Sequence, residues 1–203
     1  MKKNTKTIIF PLNNNEHILM ELGKPLNKID SEAPLDRIPV KIFISNTYLH
    51  LTNQWPLDVF YDLKTNLESA LNNKIQPHSS IKKNLGYLWN QDMHGDASEL
   101  IFEQKEKQNF WVGLRRLLWS SSNKLNPKLS TWLYNDQDGN IILELTPSYR
   151  WHFAQPKEGE EFITYEQFMA TYQSYLTRII SKEVAERWIA ICEEGLAIIP
   201  TNV

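Results

Sequence analysis

Thr131-Trp132-Leu133-Tyr134-Asn135-Asp136-Gln137-Asp138-Gly139-Asn140-Ile141-Ile142-Leu143-Glu144-Leu145-Thr146 is the stretch on which the fold turns. Strand-forming residues flank a polar segment, and Asp138-Gly139 supplies the positive φ that a tight turn needs, so the stretch reads as a β-hairpin. A second pair of runs, Val40-Lys41-Ile42-Phe43-Ile44 and Thr47-Tyr48-Leu49-His50-Leu51-Thr52, is joined by Ser45-Asn46 and reads as another pair of strands. Thr7-Ile8-Ile9-Phe10-Pro11 reads as a first strand, and the Asn13-Asn14-Asn15 run with Pro25, Pro34 and Pro39 marks loops around short strands.

Helical signals lie between and after these runs. Pro56 sits where a first helical residue tolerates its missing N–H, and Phe60, Leu63, Leu67, Ala70 and Leu71 follow at helical spacing, which predicts a helix over Pro56–Leu71 ended by Asn72-Asn73. Thr164 and Gln167 have capping-box spacing, with Phe168, Met169, Tyr172, Tyr175, Leu176 and Ile179 forming one face beyond them. Ser181 and Glu183 open a last helix, with Val184, Trp188, Ile191 and Cys192 on its face and Gly195 as its stop. Residues 84–122 are ambiguous. The aromatic and β-branched content of their apolar runs favours strands, although residues 113–118 also suit a helix. The expectation is a single α+β domain over residues 1–203, with residues 1–39 as a peripheral arm or edge strands. An antiparallel sheet built from both strand pairs would carry a central amphipathic helix and two C-terminal helices.

Composition narrows the function classes. A chain of 203 residues with 41% hydrophobic and 23% charged residues has the material for a core and a solvated surface. Its net charge of −2 gives no electrostatic footprint for nucleic acid. No apolar run approaches the roughly 20 residues that span a bilayer. The single Cys192 excludes an intrachain disulfide, in keeping with a cytoplasmic protein.

Chemistry-bearing motifs are sparse. Asp92, His94 and Asp96 alternate about Met93 and Gly95, and on an extended segment they would point one way, as a metal-dependent hydrolase could use them. The same residues describe an ordinary turn. Arg115 and Arg116 beside Trp111 and Trp119 could bind RNA by stacking and ion pairing, or form the solvated edge of a half-buried element. Cys192 reads as a buried thiol, no G-x-S-x-G element surrounds a serine, and the seven glycines have neither Walker nor Rossmann spacing. His17, His50, His78 and His152 are isolated in sequence. The acidic run Glu158, Glu160 and Glu161, with Asp136 and Asp138 at the hairpin tip, suits either a solvated surface or complementarity to a basic protein.

Over residues 110–199 the chain resembles a known class of protein. The pattern runs through Leu118-Trp119-Ser120-Ser121, Trp132-Leu133-Tyr134-Asn135-Asp136, Glu144-Leu145-Thr146-Pro147, Tyr149-Arg150-Trp151-His152-Phe153, Tyr165-Glu166-Gln167-Phe168 and Ser181-Lys182-Glu183-Val184-Ala185-Glu186-Arg187-Trp188. It resembles the immunity proteins of contact-dependent growth inhibition and other polymorphic toxin systems in bacteria. The resemblance implies a cytoplasmic protein that is not an enzyme, and its oligomeric state, monomer or otherwise, stays open. Such a protein needs no cofactor or metal, binds neither nucleic acid nor membrane, and neutralises the C-terminal domain of a cognate toxin, often a nuclease. Glu158, Glu160, Glu161, Asp136 and Asp138 are the residues expected to face that toxin.

Overall fold

The computed structural model describes residues 6–22, 37–77, 84–94, 116–122, 124–125, 127–152 and 155–199. The chain is α+β, with two four-stranded sheets. It divides into two compact units, one of residues 1–74 and 180–203 and the other of residues 75–179.

The first unit contains β1 (Lys6–Pro11), β2 (His17–Leu22), β3 (Ile38–Ile44) and β4 (Thr47–Gln54), an antiparallel meander in chain order. Burial alternates strictly along β2 and β3, so one face of the sheet carries Ile18, Met20, Val40 and Ile42 into the core. The β3–β4 turn is made by Ser45 and Asn46 at φ 47° and 63°, the left-handed pair that a two-residue hairpin requires. Its position is the one read from the sequence.

α1 (Pro56–Leu71) and a helix over Lys182–Ala197 complete this unit. Val59, Phe60, Leu63, Leu67 and Ala70 form the buried stripe of α1. The second helix starts at Ser181, whose Oγ accepts from the Val184 N–H at 3.3 Å, and buries Ala185, Trp188, Cys192 and Gly195. Trp188 donates its indole N–H to the Pro11 carbonyl at 2.8 Å and meets Phe10 edge-on, tying this helix to β1. Gly195 is not the stop expected of it. It lies one turn inside the helix, where an added Cβ would stand 2.8 Å from the Phe60 ring, so its role is close helix packing.

The second unit contains β5 (Leu117–Ser120), β6 (Leu129–Asn135), β7 (Ile141–Pro147) and β8 (Leu176–Ile180), in that order across the sheet. The β6–β7 hairpin matches the sequence reading and turns through Gly139 at φ 84°. The two hairpins read from the sequence therefore sit in separate sheets. Strand pattern specifies which face of a strand is buried but carries no label for the sheet it joins.

Two elements differ from expectation. Residues 85–89 are helical, within α2 (Leu85–His94), because Asn84 caps it: its Oδ1 accepts from the Tyr87 N–H at 2.7 Å. The helix after Thr164, α3 (Tyr165–Ala170), has the capping box expected of it but ends after six residues. Residues 176–180 are strand instead, since the Tyr175 N–H donates to the Leu145 carbonyl at 2.8 Å and docks the following residues beside β7. The helix over Lys182–Ala197 is accordingly α4. No helix among the described residues is long and apolar enough to cross a membrane.

Candidate functional site

The second unit holds a cavity of about 450 Å3 beyond the Leu129/Pro147 end of the hairpin. Three segments build it: residues 127–128 before β6, residues 147–151 after β7, and residues 161–175 around α3. Asn90, fully buried on α2, positions the second segment. Its amide donates to the Gly86 and Pro147 carbonyls at 2.7 and 3.0 Å, and its Oδ1 accepts from the Tyr149 N–H at 2.7 Å. Close approach of α2 to the sheet needs Gly86, where any side chain would collide with Thr146 Oγ1 and the Tyr172 hydroxyl.

An aromatic cluster floors the site. Tyr149, Tyr165 and Phe168 are buried together, with Trp151, Met169 and Tyr172 packed around them. His94 stacks on Tyr165 at 3.7 Å, and His152 sits within 3.2 Å of Asn90 Oδ1. Burial, then the charges of Lys128 and His94, depresses the His152 imidazole to about 4, so it is neutral near pH 7. Burial also lowers the Lys128 ammonium below the usual lysine range.

Arg150 organises the rim. Its guanidinium lies 4.4 Å from the Trp151 ring centroid and pairs with Glu160 at 2.8 Å. Glu160 also accepts from the Lys157 N–H at 2.8 Å, and that bond, with Arg150, holds its carboxyl below the ordinary range. The Tyr149 hydroxyl donates to the Ile163 carbonyl at 3.1 Å. The segment from Lys157 to Ile163 is thus pinned at Glu160 and Ile163, while Glu158, Glu161, Phe162 and Ile163 remain exposed.

The residues expected to face a partner fall into two groups. Glu158, Glu160 and Glu161 share the pinned loop, although Glu160 is committed to Arg150. Asp136 and Asp138 sit at the hairpin tip, the opposite end of a seven-residue strand pair and so about 20 Å away. Asp136 builds the turn itself: its carboxylate accepts from the Asp138 and Asn140 N–H groups at 3.0 and 2.8 Å and from the Asn140 amide at 2.9 Å. These bonds hold its carboxyl below the usual range even against its own desolvation.

The other motifs resolve differently. Asp92 and His94 lie on α2, where two positions apart means roughly opposite sides of the helix, so the common direction expected of an extended segment is lost. Asp96 lies outside the described residues, and no trio of His, Cys, Asp and Glu among the described residues is placed to hold a metal. Arg116 and Trp119 are buried and do not form a solvated basic edge. Arg115, Trp111 and His78 lie outside the described residues. Cys192 is buried, and desolvation pushes its thiol up to about 12.

Sequence reasoning did not single out Lys128, Arg150 or Glu144. Glu144 is buried in β7, accepts from Ser174 Oγ at 2.9 Å and the Tyr134 hydroxyl at 3.2 Å, and is raised by burial. The local signal for Arg150 was present in Tyr149-Arg150-Trp151-His152, a basic residue among aromatics directly after a strand. Lys128 and Glu144 gain their settings only from tertiary packing. Comparison with known protein families, with curated proteins and with solved structures finds no match to this chain.

Proposed function

We propose that this chain is an immunity protein, which binds a cognate toxin domain and neutralises it by covering its active site or blocking substrate access. The observation that carries the reading is the pinned loop. Glu158 and Glu161 are followed directly by the exposed side chains of Phe162 (49% exposed) and Ile163 (41%), on backbone that Arg150 and Tyr149 already hold. Exposed apolar side chains can serve as anchors in an interface, and a pre-ordered loop loses little entropy on docking. Exposed carboxylates steer association with a basic surface such as a nuclease cleft and would exclude nucleic acid from it. The resemblance over residues 110–199 points to the same role, carried out in the cytoplasm without chemistry of its own.

Co-purification of the tagged protein from its host cell should recover one stoichiometric toxin fragment. Recovery of none while the toxin is expressed would overturn the reading. With that fragment in hand, reversing both Glu158 and Glu161 to Lys should weaken binding at least tenfold at low salt, with the deficit shrinking as salt rises. Phe162→Ala should cost about 1–2 kcal/mol of binding at any salt. Unchanged affinity in the double reversal at low and moderate salt would remove the loop from the interface while leaving the immunity role standing.

A further inference from the structure

A partner that docks on the loop would meet the cavity only at its rim, where Glu161 and Ile163 border it. Its volume of about 450 Å3 falls within the range of small-molecule sites and far exceeds a packing defect. Two features define what would fill it. The first is Lys128, a half-buried side chain in the cavity wall that forms no hydrogen bond or ion pair with any described residue. The second is the aromatic lining of Tyr149, Trp151, Phe168, Tyr172 and Tyr175.

A half-buried ammonium without a counter-charge is costly, and sites that keep one commonly do so to meet an anion. Among the described residues no acid serves Lys128. Glu160 is occupied by Arg150, and Glu161 is exposed at the rim. His152, the titratable group coupled to Lys128, is neutral near pH 7 and so neither repels Lys128 nor competes with it for an anion. Arg150 adds a second cationic group, already oriented by Glu160 and by the Trp151 ring beneath it. The aromatic lining offers flat apolar walls, which favour a planar body over a flexible chain.

We propose that this cavity binds a small molecule carrying a carboxylate or phosphate on a planar ring-bearing body, with the anion held at Lys128 and the ring among the aromatic side chains. The inference does not rest on the immunity role, because Lys128 and the aromatic walls lie off the loop that would meet a toxin and would take a different class of ligand.

Calorimetric titration of the full chain with four probes tests it: adenosine 5′-monophosphate, indole-3-acetate, inorganic phosphate and acetate. Saturable binding of one ring-bearing anion, at least tenfold tighter than its ringless counterpart, is expected, and which of the two binds tells phosphate from carboxylate as the natural head group. Lys128→Gln should weaken that binding tenfold or more. This variant removes a half-buried charge that no described residue compensates, so it should melt at or above the parent temperature, which separates loss of the site from loss of the fold. Tyr175→Ala, at an exposed position, should weaken binding of the ring-bearing probe without altering any weak binding of the ringless one. Absence of saturable binding by all four probes at millimolar concentration would overturn the proposal, as would binding that Lys128→Gln leaves unchanged. Equal affinity for ringed and ringless anions would overturn the assignment of a ring-bearing ligand.

Discussion

Two titratable residues in the second unit, the half-buried His152 and the buried Glu144, are shifted in ways that make stability depend on pH with opposite signs. His152 is depressed to about 4 in the folded chain, below the ordinary imidazole value of 6.5. Its contribution is therefore present above pH 6.5 and is lost as pH falls toward 4, because only the unfolded chain takes up the proton readily. Allowing for the ring's partial exposure, the loss amounts to about 2 kcal/mol. Glu144 is raised above the ordinary carboxyl value, chiefly by burial and against the two hydroxyls that donate to it. Its contribution is full below about pH 4.5 and declines as pH rises through its folded value, since the buried carboxyl must then either charge or stay protonated at a cost. Chemical denaturation from pH 4 to 8 should separate the two. His152→Gln should flatten the acid-side loss, whereas Glu144→Gln should gain on the parent progressively as pH rises. Gln can keep both hydroxyl partners of Glu144, because Ser174 and Tyr134 can each turn to donate or accept. Parallel pH profiles for parent and variants would refute both assignments.

Elements test how closely the chain is packed, and glycine is the sharpest probe. Gly195 sits inside α4, where Ala is intrinsically favoured by about 1 kcal/mol. The Cβ of an Ala would nonetheless press on the buried Phe60 ring of α1 at 2.8 Å. Overpacking of this kind costs about 1–3 kcal/mol, so the clash should outweigh propensity and Gly195→Ala should destabilise by about 1 kcal/mol. Adding Phe60→Leu should recover part of that loss, which thermal melts of the single and double variants would reveal as non-additivity. Legibility in the sequence follows the same division between local and distant causes. The turns at Ser45-Asn46 and Asp138-Gly139, the Pro56 start of α1 and the capping box at Thr164 were readable because residues within four positions cause each of them. The strand at residues 176–180 was not, because its cause is a hydrogen bond from Tyr175 to Leu145, thirty positions away. α2 lay between these cases, since Asn84 is a local cap whose signal was outweighed by the aromatic content after it. The candidate site divides likewise. The exposed acids of the loop were visible as a charge run, whereas the setting of Lys128 depends on segments that begin at Pro147 and end at Tyr175.

At the scale of the whole molecule, the second unit is an insertion between two packed helices of the first. Phe60 of α1 faces Gly195 of α4, and Lys64, one turn later, reaches Glu193 at 3.4 Å. Numbers that rise along one helix while they fall along the other define an antiparallel pair. Continuing that register, Leu71 at the end of α1 comes beside the first turns of α4. With helices 8–10 Å apart and 1.5 Å of rise per residue, the points where the chain leaves and re-enters the first unit are separated by only about 10 Å. A span of that length can be bridged by five or six flexible residues, and the closure cost rises only slowly with length. The first unit also has its own core, in which Phe10, Phe60 and Trp188 meet between sheet and helices. Replacing residues 75–179 with a six-residue Gly/Ser linker should therefore leave a chain that folds. The expected result is a cooperative thermal transition and, with the exposed Trp55 replaced by Phe, a Trp188 emission that stays blue-shifted until that transition. A molten, non-cooperative melt would show that the first unit needs the insertion to hold its core. The folded remnant should also fail to capture the toxin fragment and the ring-bearing anion, since the loop and the cavity both leave with the insertion.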